Sequence, residues 1–226
     1  MRRDESCLPI QSSLGSLLLA YLCSCSILFC ALIATKNFAI VGGSFDPIHN
    51  GHIHVVRAIL GTKKFSKVIV IPAGDPWQKR TVASKSDRLA MTRLALEGTN
   101  SEIEDYEVIR AEPSYAIDTV SFLKNKYPDA TFTWVIGSDA IGNLETWKDI
   151  DRLAKEISFL VVTRPGHPID QAKIYPGINW SAIEIAALEI SATEIRKAIV
   201  DGRDIKQWVP EKVFAYIEEK RLYDAS

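Results

Sequence analysis

Apolar residues in this chain fall into short runs, and the runs alternate between two spacings. Asn37 to Val41 is an apolar segment of strand length. After a glycine-rich stretch, apolar residues at 53, 55, 56, 59 and 60 follow the spacing of a helix lying on a sheet. Lys67 to Ile71, stopped by Pro72, reads as a buried parallel strand, and Ala73 to Arg80 as a loop by its Gly and Pro content. Ser86 to Glu97 reads as a helix, with Leu89, Met91, Leu94, Ala95 and Leu96 on its apolar face and Gly98 as its stop. Ile103, Tyr106, Val108 and Ile109 mark a loosely patterned strand. Pro113 to Thr119 opens another helix that runs to Tyr127, with Ser114 at its N-cap. Thr131 to Gly137 and Ile157 to Thr163 are further strands. Residues 169 to 181 show no clear periodicity, and Ala182 to Ala186 reads as the last strand. A helix opens at Ser191, and a final one covers Val213, Tyr216 and Ile217. This alternation predicts an α/β fold with a doubly wound, mostly parallel sheet.

The first 35 residues stand apart from that pattern. Leu14 to Ala34 carries no charge, follows Arg2 and Arg3, and is long enough to span a bilayer. Three readings stand: a membrane anchor, a signal peptide without a clean cleavage site, and an upstream extension outside the working domain. The expectation is two units, an N-terminal extension over 1–35 and a catalytic domain over 36–226. A membrane partner is expected only if residues 14–34 are a real anchor. All four cysteines lie in the first thirty residues, so the main domain has no disulfide framework, which fits a reducing cytoplasmic setting. A net charge of −1 gives no global basic bias toward nucleic acid, and none is expected as a partner.

The chemistry concentrates in Gly42-Gly43-Ser44-Phe45-Asp46-Pro47-Ile48-His49-Asn50-Gly51-His52, between the first strand and the first helix. A strand–turn–helix junction aims backbone N–H groups and the positive end of a helix dipole at one point, and a phosphate suits that point. His49 and His52, three apart, sit on one face and each can donate a ring N–H to phosphate; a protonated ring adds charge. Gly42, Gly43 and Gly51 leave room for close approach. Zinc ligation by the two histidines lacks a cysteine or clear third ligand nearby. Lys79 and Arg80, in a loop at a strand's carboxyl end, are either phosphate contacts or solvated charges. Asp139, just past a strand, either bonds a ribose or caps the next helix. Trp147 either packs or offers a stacking platform, and Arg164 serves substrate or structure. Ser191 with Glu194 fits an N-cap, and the same helix start offers free N–H groups, the Thr193 hydroxyl and the Arg196 guanidinium to phosphate.

Gly43-Ser44-Phe45-Asp46-Pro47-x-His49-x-Gly51-His52 resembles the signature of the nucleotidyltransferases of the His-x-Gly-His type. It is most similar to the bacterial nicotinate-nucleotide adenylyltransferase family, over roughly residues 37 to 224. Pro76-Trp77-Gln78-Lys79 resembles a loop of that family and raises Lys79 above Arg80. Pro113-Ser114-Tyr115-Ala116-Ile117-Asp118-Thr119 resembles a further motif, with Glu112 in place of the usual glycine and Ala116 in place of the usual threonine. Ile190-Ser191-x-Thr193-x-Ile195-Arg196 resembles its ATP-phosphate motif.

The resemblance implies a Rossmann-like nucleotidyltransferase fold. It implies adenylyl transfer from ATP, carrying Mg²⁺, to nicotinate mononucleotide, with pyrophosphate released, and possible homo-oligomers. His49, His52, Lys79 and Arg196 are the implied catalytic donors. The implied ATP site comprises Gly42, Gly43, Ser44, Phe45, His49, His52, Gly137, Asp139, Ile190, Ser191, Thr193 and Arg196. The implied acceptor site comprises Lys79, Ser114, Tyr115, Ala116, Trp147 (under the nicotinate ring) and Arg164. No dedicated metal ligand is implied. The alternatives are another acceptor, nicotinamide mononucleotide or phosphopantetheine, or a membrane-tethered nucleotide-binding protein without catalysis.

Overall fold

A computed structural model describes residues 36–166, 169–171, 174–186 and 188–224. The N-terminal segment read as extension, anchor or signal peptide lies outside the described residues, as do His167 and Pro168. Among the described residues no helix is long and apolar enough to cross a membrane.

Six parallel strands form one sheet: β1 (Lys36–Gly43), β2 (Lys67–Pro72), β3 (Ser101–Ile103), β4 (Ala130–Gly137), β5 (Ser158–Thr163) and β6 (Asn179–Glu184). Their order is β3-β2-β1-β4-β5-β6. The chain therefore winds outward from β1 in one direction and outward from β4 in the other. The reversal point lies between β1 and β4, which pair from Lys36↔Ala130 to Val41↔Val135. In open parallel sheets the crevice beyond the carboxyl ends of two such strands is where ligands bind, because the connecting loops part there.

Strand periodicity sorts β1 into two cores. Ala39 and Val41 face a layer with Ile53, Val56 and Ile59 of α1 (Asn50–Gly61), Met91 and Ala95 of α2 (Lys85–Leu96), and Ile195 of α6 (Ala192–Val200). Val213 and Ile217 of α7 (Glu211–Lys220) complete that layer. Phe38 and Ile40 face the other layer, with Ile117, Val120 and Leu123 of α4 (Ala116–Lys126) and Ile150 and Leu153 of α5 (Ile150–Glu156). Both faces are thus covered, which is why the strands read as continuous apolar runs rather than as alternation.

Three local expectations change. The run from Ile103 to Ile109 is not one strand: β3 stops at Ile103 and Tyr106–Ile109 forms a single helical turn, α3. Apolar positions 103, 106, 108 and 109 satisfy neither period cleanly, and tertiary packing decided between them. Ser114 is not the cap of α4. Tyr115 holds that position, and the Ser114 hydroxyl accepts instead from the N–H groups of Gly74 at 2.9 Å and Asp75 at 3.2 Å. β6 begins at Asn179, earlier than Ala182, and as a largely exposed edge strand it lacks the apolar signal of the inner ones.

Arg88 fastens the loops at the carboxyl edge. It is fully buried on the inner face of α2, and it donates to the carbonyls of Ser44 (2.7 Å), Ala73 (2.6 Å), Gly74 (2.7 Å) and Ala83 (3.4 Å). Removing it strands several buried carbonyls and leaves a void. Arg88→Met is expected to lower stability by about 3 kcal/mol or more. Arg88→Lys is expected not to restore it, because a point ammonium cannot span three carbonyls as a planar fork does. Urea midpoints check this, and a lysine variant as stable as the parent would contradict it.

Candidate active site

The turn after β1 is shaped by aromatic rings. A Cβ on Gly42 would lie 2.9 Å from Trp134 Cζ2, and one on Gly43 would lie 2.7 Å from Phe45 Cε1. The glycines thus make room first for the protein's own rings. Phe45 is buried with a φ of 49°, in the left-handed region that side chains usually avoid. The turn then enters α1, whose N-cap is His49 in extended geometry and whose first N–H, on Asn50, donates to the Trp208 carbonyl at 2.8 Å.

His49 and His52 stack, with ring centroids 3.7 Å apart and planes 26° apart, and the Phe45 ring meets His52 edge-on at 5.1 Å. The His49 backbone N–H donates to His52 Nδ1 at 3.3 Å, which leaves the proton of a neutral His52 on Nε2. Burial pushes His49 down to about 4, and burial, the adjacent His49 and the charge of Lys79 push His52 well below its ordinary value. In the free protein both rings are therefore neutral donors, and the added charge expected of a protonated ring is absent near pH 7. His49 Nδ1 is buried without a protein hydrogen-bond partner.

Two cavities of similar size flank this turn. The first, about 270 Å³, is bounded by Gly42, Phe45, His49, His52, Gly137, Asp139, Arg164 and Ile190. The second, about 300 Å³, is bounded by Gly42, Gly43, Ser44, Lys79, Glu107, Ser114, Ala116, Gly137 and Trp147. They share Gly42, Val135, Ile136 and Gly137, so they meet over the ends of β1 and β4, at the reversal point of the sheet.

Each expected residue has a definite place. Lys79 is exposed on the wall of the second cavity, whereas Arg80 bounds only a shallow outer depression with Lys79 and its loop neighbours. Arg164 bounds the first cavity and not the second, where Lys79, Ser114, Ala116 and Trp147 stand. Tyr115 bounds neither; its ring lies beneath the Lys148 ammonium, 4.4 Å from the centroid. Asp139 is exposed and caps no helix. Its Oδ1 sits over Gly137, 2.5 Å from where a Cβ would be. Trp147, half-buried, packs edge-on against Trp134 and Phe159, and it also lines the second cavity. Ser191 caps α6, accepting from Glu194 N–H at 3.1 Å. Arg196, one turn on, donates to the Asp46 carbonyl at 2.6 Å and to the Thr193 hydroxyl at 3.3 Å, which joins the α6 start to the turn after β1.

Four residues at the site receive no role from the sequence, although one of them, Asp46, lies inside the motif after β1. Asp46 is buried and its carboxylate accepts from Val82 N–H (2.7 Å), Ala83 N–H (3.1 Å) and Tyr223 O–H (2.8 Å). Glu107, raised by burial and bonded by the Thr119 hydroxyl at 2.6 Å, lies in the second cavity's wall. Arg88 and Tyr223 complete the group. Besides the motif position of Asp46, a signal exists for Arg88: it lies three and seven positions before Met91 and Ala95, on the apolar stripe of its helix.

A sheet-reversal crevice holding a His-x-Gly-His helix start and a second helix start is the arrangement of a nucleotidyltransferase. Residues 40–198 match the cytidylyltransferase-like family, and the chain belongs to that family, alongside nicotinate-nucleotide adenylyltransferases. A relative named probable nicotinate-nucleotide adenylyltransferase from Corynebacterium kroppenstedtii is 34% identical over 191 residues, 83% of this chain and 90% of that one. One of the same name from Streptomyces coelicolor is 35% identical over 186 residues, 81% of this chain and 98% of its own. Among solved structures, the Plasmodium falciparum nicotinic acid mononucleotide adenylyltransferase complexed with NaAD superposes with a TM-score of 0.73. It is 26% identical and covers 83% of this chain and 97% of its own.

The neutral histidines have a consequence for stability. Their folded-state affinity for protons lies below the unfolded value of about 6.5, so the unfolded chain binds more protons as the pH falls. The His49 contribution is complete above about pH 6.5 and is lost between there and about 4, at up to about 1.4 kcal/mol per pH unit, and His52 acts in the same direction. A denaturation series from pH 7.5 to 4 is expected to show this fall. His49→Gln is expected to make it shallower; an equally steep fall in that variant would contradict the assignment.

Proposed function

We propose that the protein transfers the adenylyl group of ATP to the phosphate of nicotinate mononucleotide, giving nicotinate adenine dinucleotide and pyrophosphate. The observation that carries this reading is the pair of similar cavities meeting at Gly42 and Gly137: two nucleotides placed one in each would bring their phosphates together over the β1 turn. A phosphate oxygen of the mononucleotide attacks the α-phosphorus of ATP. The new P–O bond forms as the bond to the β-phosphate breaks, and pyrophosphate leaves with the electron pair. The attacking group is already an anion, so no covalent nucleophile and no strong base are needed. Catalysis is then positioning and charge stabilisation.

On this reading the residues take the following roles. ATP occupies the first cavity, with His49 and His52 as neutral N–H donors and the start of α6, with Thr193 and Arg196, completing its phosphate contacts. Asp139 and Gly137 lie where a ribose fits. The acceptor occupies the second cavity, with Lys79 as its phosphate cation, Trp147 beside its ring and the N-terminus of α4 at Ala116 offering backbone N–H groups. Arg164, on the ATP side, serves the nucleotide rather than the acceptor ring.

Among the described residues no three His, Cys, Asp or Glu side chains are grouped as metal ligands. The walls offer neutral imidazoles, amides and one isolated carboxylate each, Asp139 in the first cavity and Glu107 in the second, and the nearby Asp46 oxygens are already taken. That donor set fits a Mg²⁺ carried in on the triphosphate, where it offsets phosphate charge. The ATP requirement and the cysteine-free domain support action in the cytoplasm.

Pyrophosphate release by the purified protein with Mg²⁺ and ATP tests the reading. Nicotinate mononucleotide, nicotinamide mononucleotide and phosphopantetheine are offered in parallel, and strong preference for the first is expected. Preference for another acceptor overturns the substrate, and ATP binding without turnover overturns the enzyme reading. His52→Ala is expected to lose on the order of a hundredfold in turnover while remaining folded; near-parental turnover would remove His52 from the phosphate site.

A further inference from the structure

The chain's last described residues turn back to the site. After α7, Arg221 takes a left-handed φ of 48°, the Leu222 N–H donates to the Ile217 carbonyl at 3.0 Å, and Tyr223 takes a φ of 69°. Two non-glycine residues in that region are a strained way to end a helix. They turn the Tyr223 ring into the core, 7% exposed, where its hydroxyl donates to Asp46 Oδ1 at 2.8 Å.

Asp46 is the point where four segments meet. Its Oδ2 takes the Val82 N–H, and its Oδ1 takes the Ala83 N–H and the Tyr223 hydroxyl. Its backbone carbonyl takes Arg196 Nη1 at 2.6 Å, while the same Nη1 stands 4.0 Å from Oδ2. The guanidinium therefore forms only a long ion pair with the carboxylate and no hydrogen bond to it. Without the hydroxyl, Oδ1 loses one of its two donors, and the strongest donor nearby is Arg196. A forked arginine–carboxylate pair would then compete with phosphate for the same N–H groups.

We propose that Tyr223 is a positioning residue for adenylyl transfer: by occupying Asp46, it keeps Arg196 available to the triphosphate of ATP. This rests on the adenylyl-transfer reading above. It assigns a function to the C-terminal turn, which touches neither cavity wall.

The test is Tyr223→Phe, which keeps the ring and removes one hydroxyl, measured alone and with Arg196→Lys in the full chain. Tyr223→Phe is expected to weaken Mg²⁺–ATP binding, read by calorimetry without acceptor, by about tenfold. It is expected to lower kcat/KM for ATP by a similar factor and to leave KM for the acceptor near its parental value. In the Arg196→Lys background the same change is expected to add little, because the group it acts through is altered. A purely structural tyrosine would instead lower the melting temperature, leave ATP binding by the folded protein unchanged and multiply the Arg196→Lys loss. Either parental ATP affinity in Tyr223→Phe or fully multiplying losses overturns the proposal. Because the calorimetric arm needs no turnover, an inactive parent protein would overturn the functional reading without silencing this test.

Discussion

A buried guanidinium with no salt bridge among the described residues holds the carboxyl edge of the sheet together. Arg88 is completely enclosed, and a charge taken out of water is tolerable only if every donor finds an acceptor. The acceptors come from three separate segments: Ser44 after β1, Ala73 and Gly74 after β2, and Ala83 before α2. The demand of one cation thus fixes where the turn after β1 and the Lys79 loop can lie. Asp46 does the converse a short distance away, collecting N–H groups from Val82 and Ala83. Between them, carbonyls go to the arginine and amides to the aspartate, so two neighbouring loops are tied from both polarities. Each charge lowers the cost of burying the other without direct contact.

The active site built on that frame favours placement over strong charges. Its two central histidines are stacked and held neutral by burial, which suits a donor that must approach a polyanion without first shedding a hydration shell. The formal cations Lys79, Arg164 and Arg196 stand apart from them, Lys79 exposed on the second cavity, Arg164 on the wall of the first and Arg196 half-buried at the α6 start. Helix starts supply the remaining positive potential from α1, α4 and α6. A reaction between two phosphates needs such distributed donors, since charge migrates from the attacking oxygen toward the leaving pyrophosphate as the bonds exchange.

The sheet itself was legible because its strands are buried on both faces. Phe38 to Val41, Val68 to Ile71 and Phe159 to Val161 are apolar for reasons that depend only on burial, and burial leaves a mark in composition. The edge strand β6 left a weaker mark because water covers most of it, and its start was missed. The short turn Tyr106–Ile109 was misread because four residues contain too little of either period to choose. Ser114 was read as a helix cap from its type alone. In the fold its hydroxyl is claimed by Gly74 and Asp75, forty residues back, and only the packing of α4 against the β2 loop reveals that competitor.

By itself, the sequence determined the alternation of strand and helix, the glycine-rich turn after β1, and the second helix start at Ser191. Each of these is local: neighbouring residues in the chain are neighbours in space, and spacing alone carries the chemistry. Tertiary structure decided what distant residues do for one another. It gave Arg88 its carbonyls, gave Asp46 the hydroxyl of Tyr223, which lies 177 positions away, and put Glu107 into a cavity wall. It also decided that His49 and His52 are neutral, because a proton's free energy on a ring depends on how much water and charge surround it. That surrounding exists only once the sheet has brought these distant segments to the same edge.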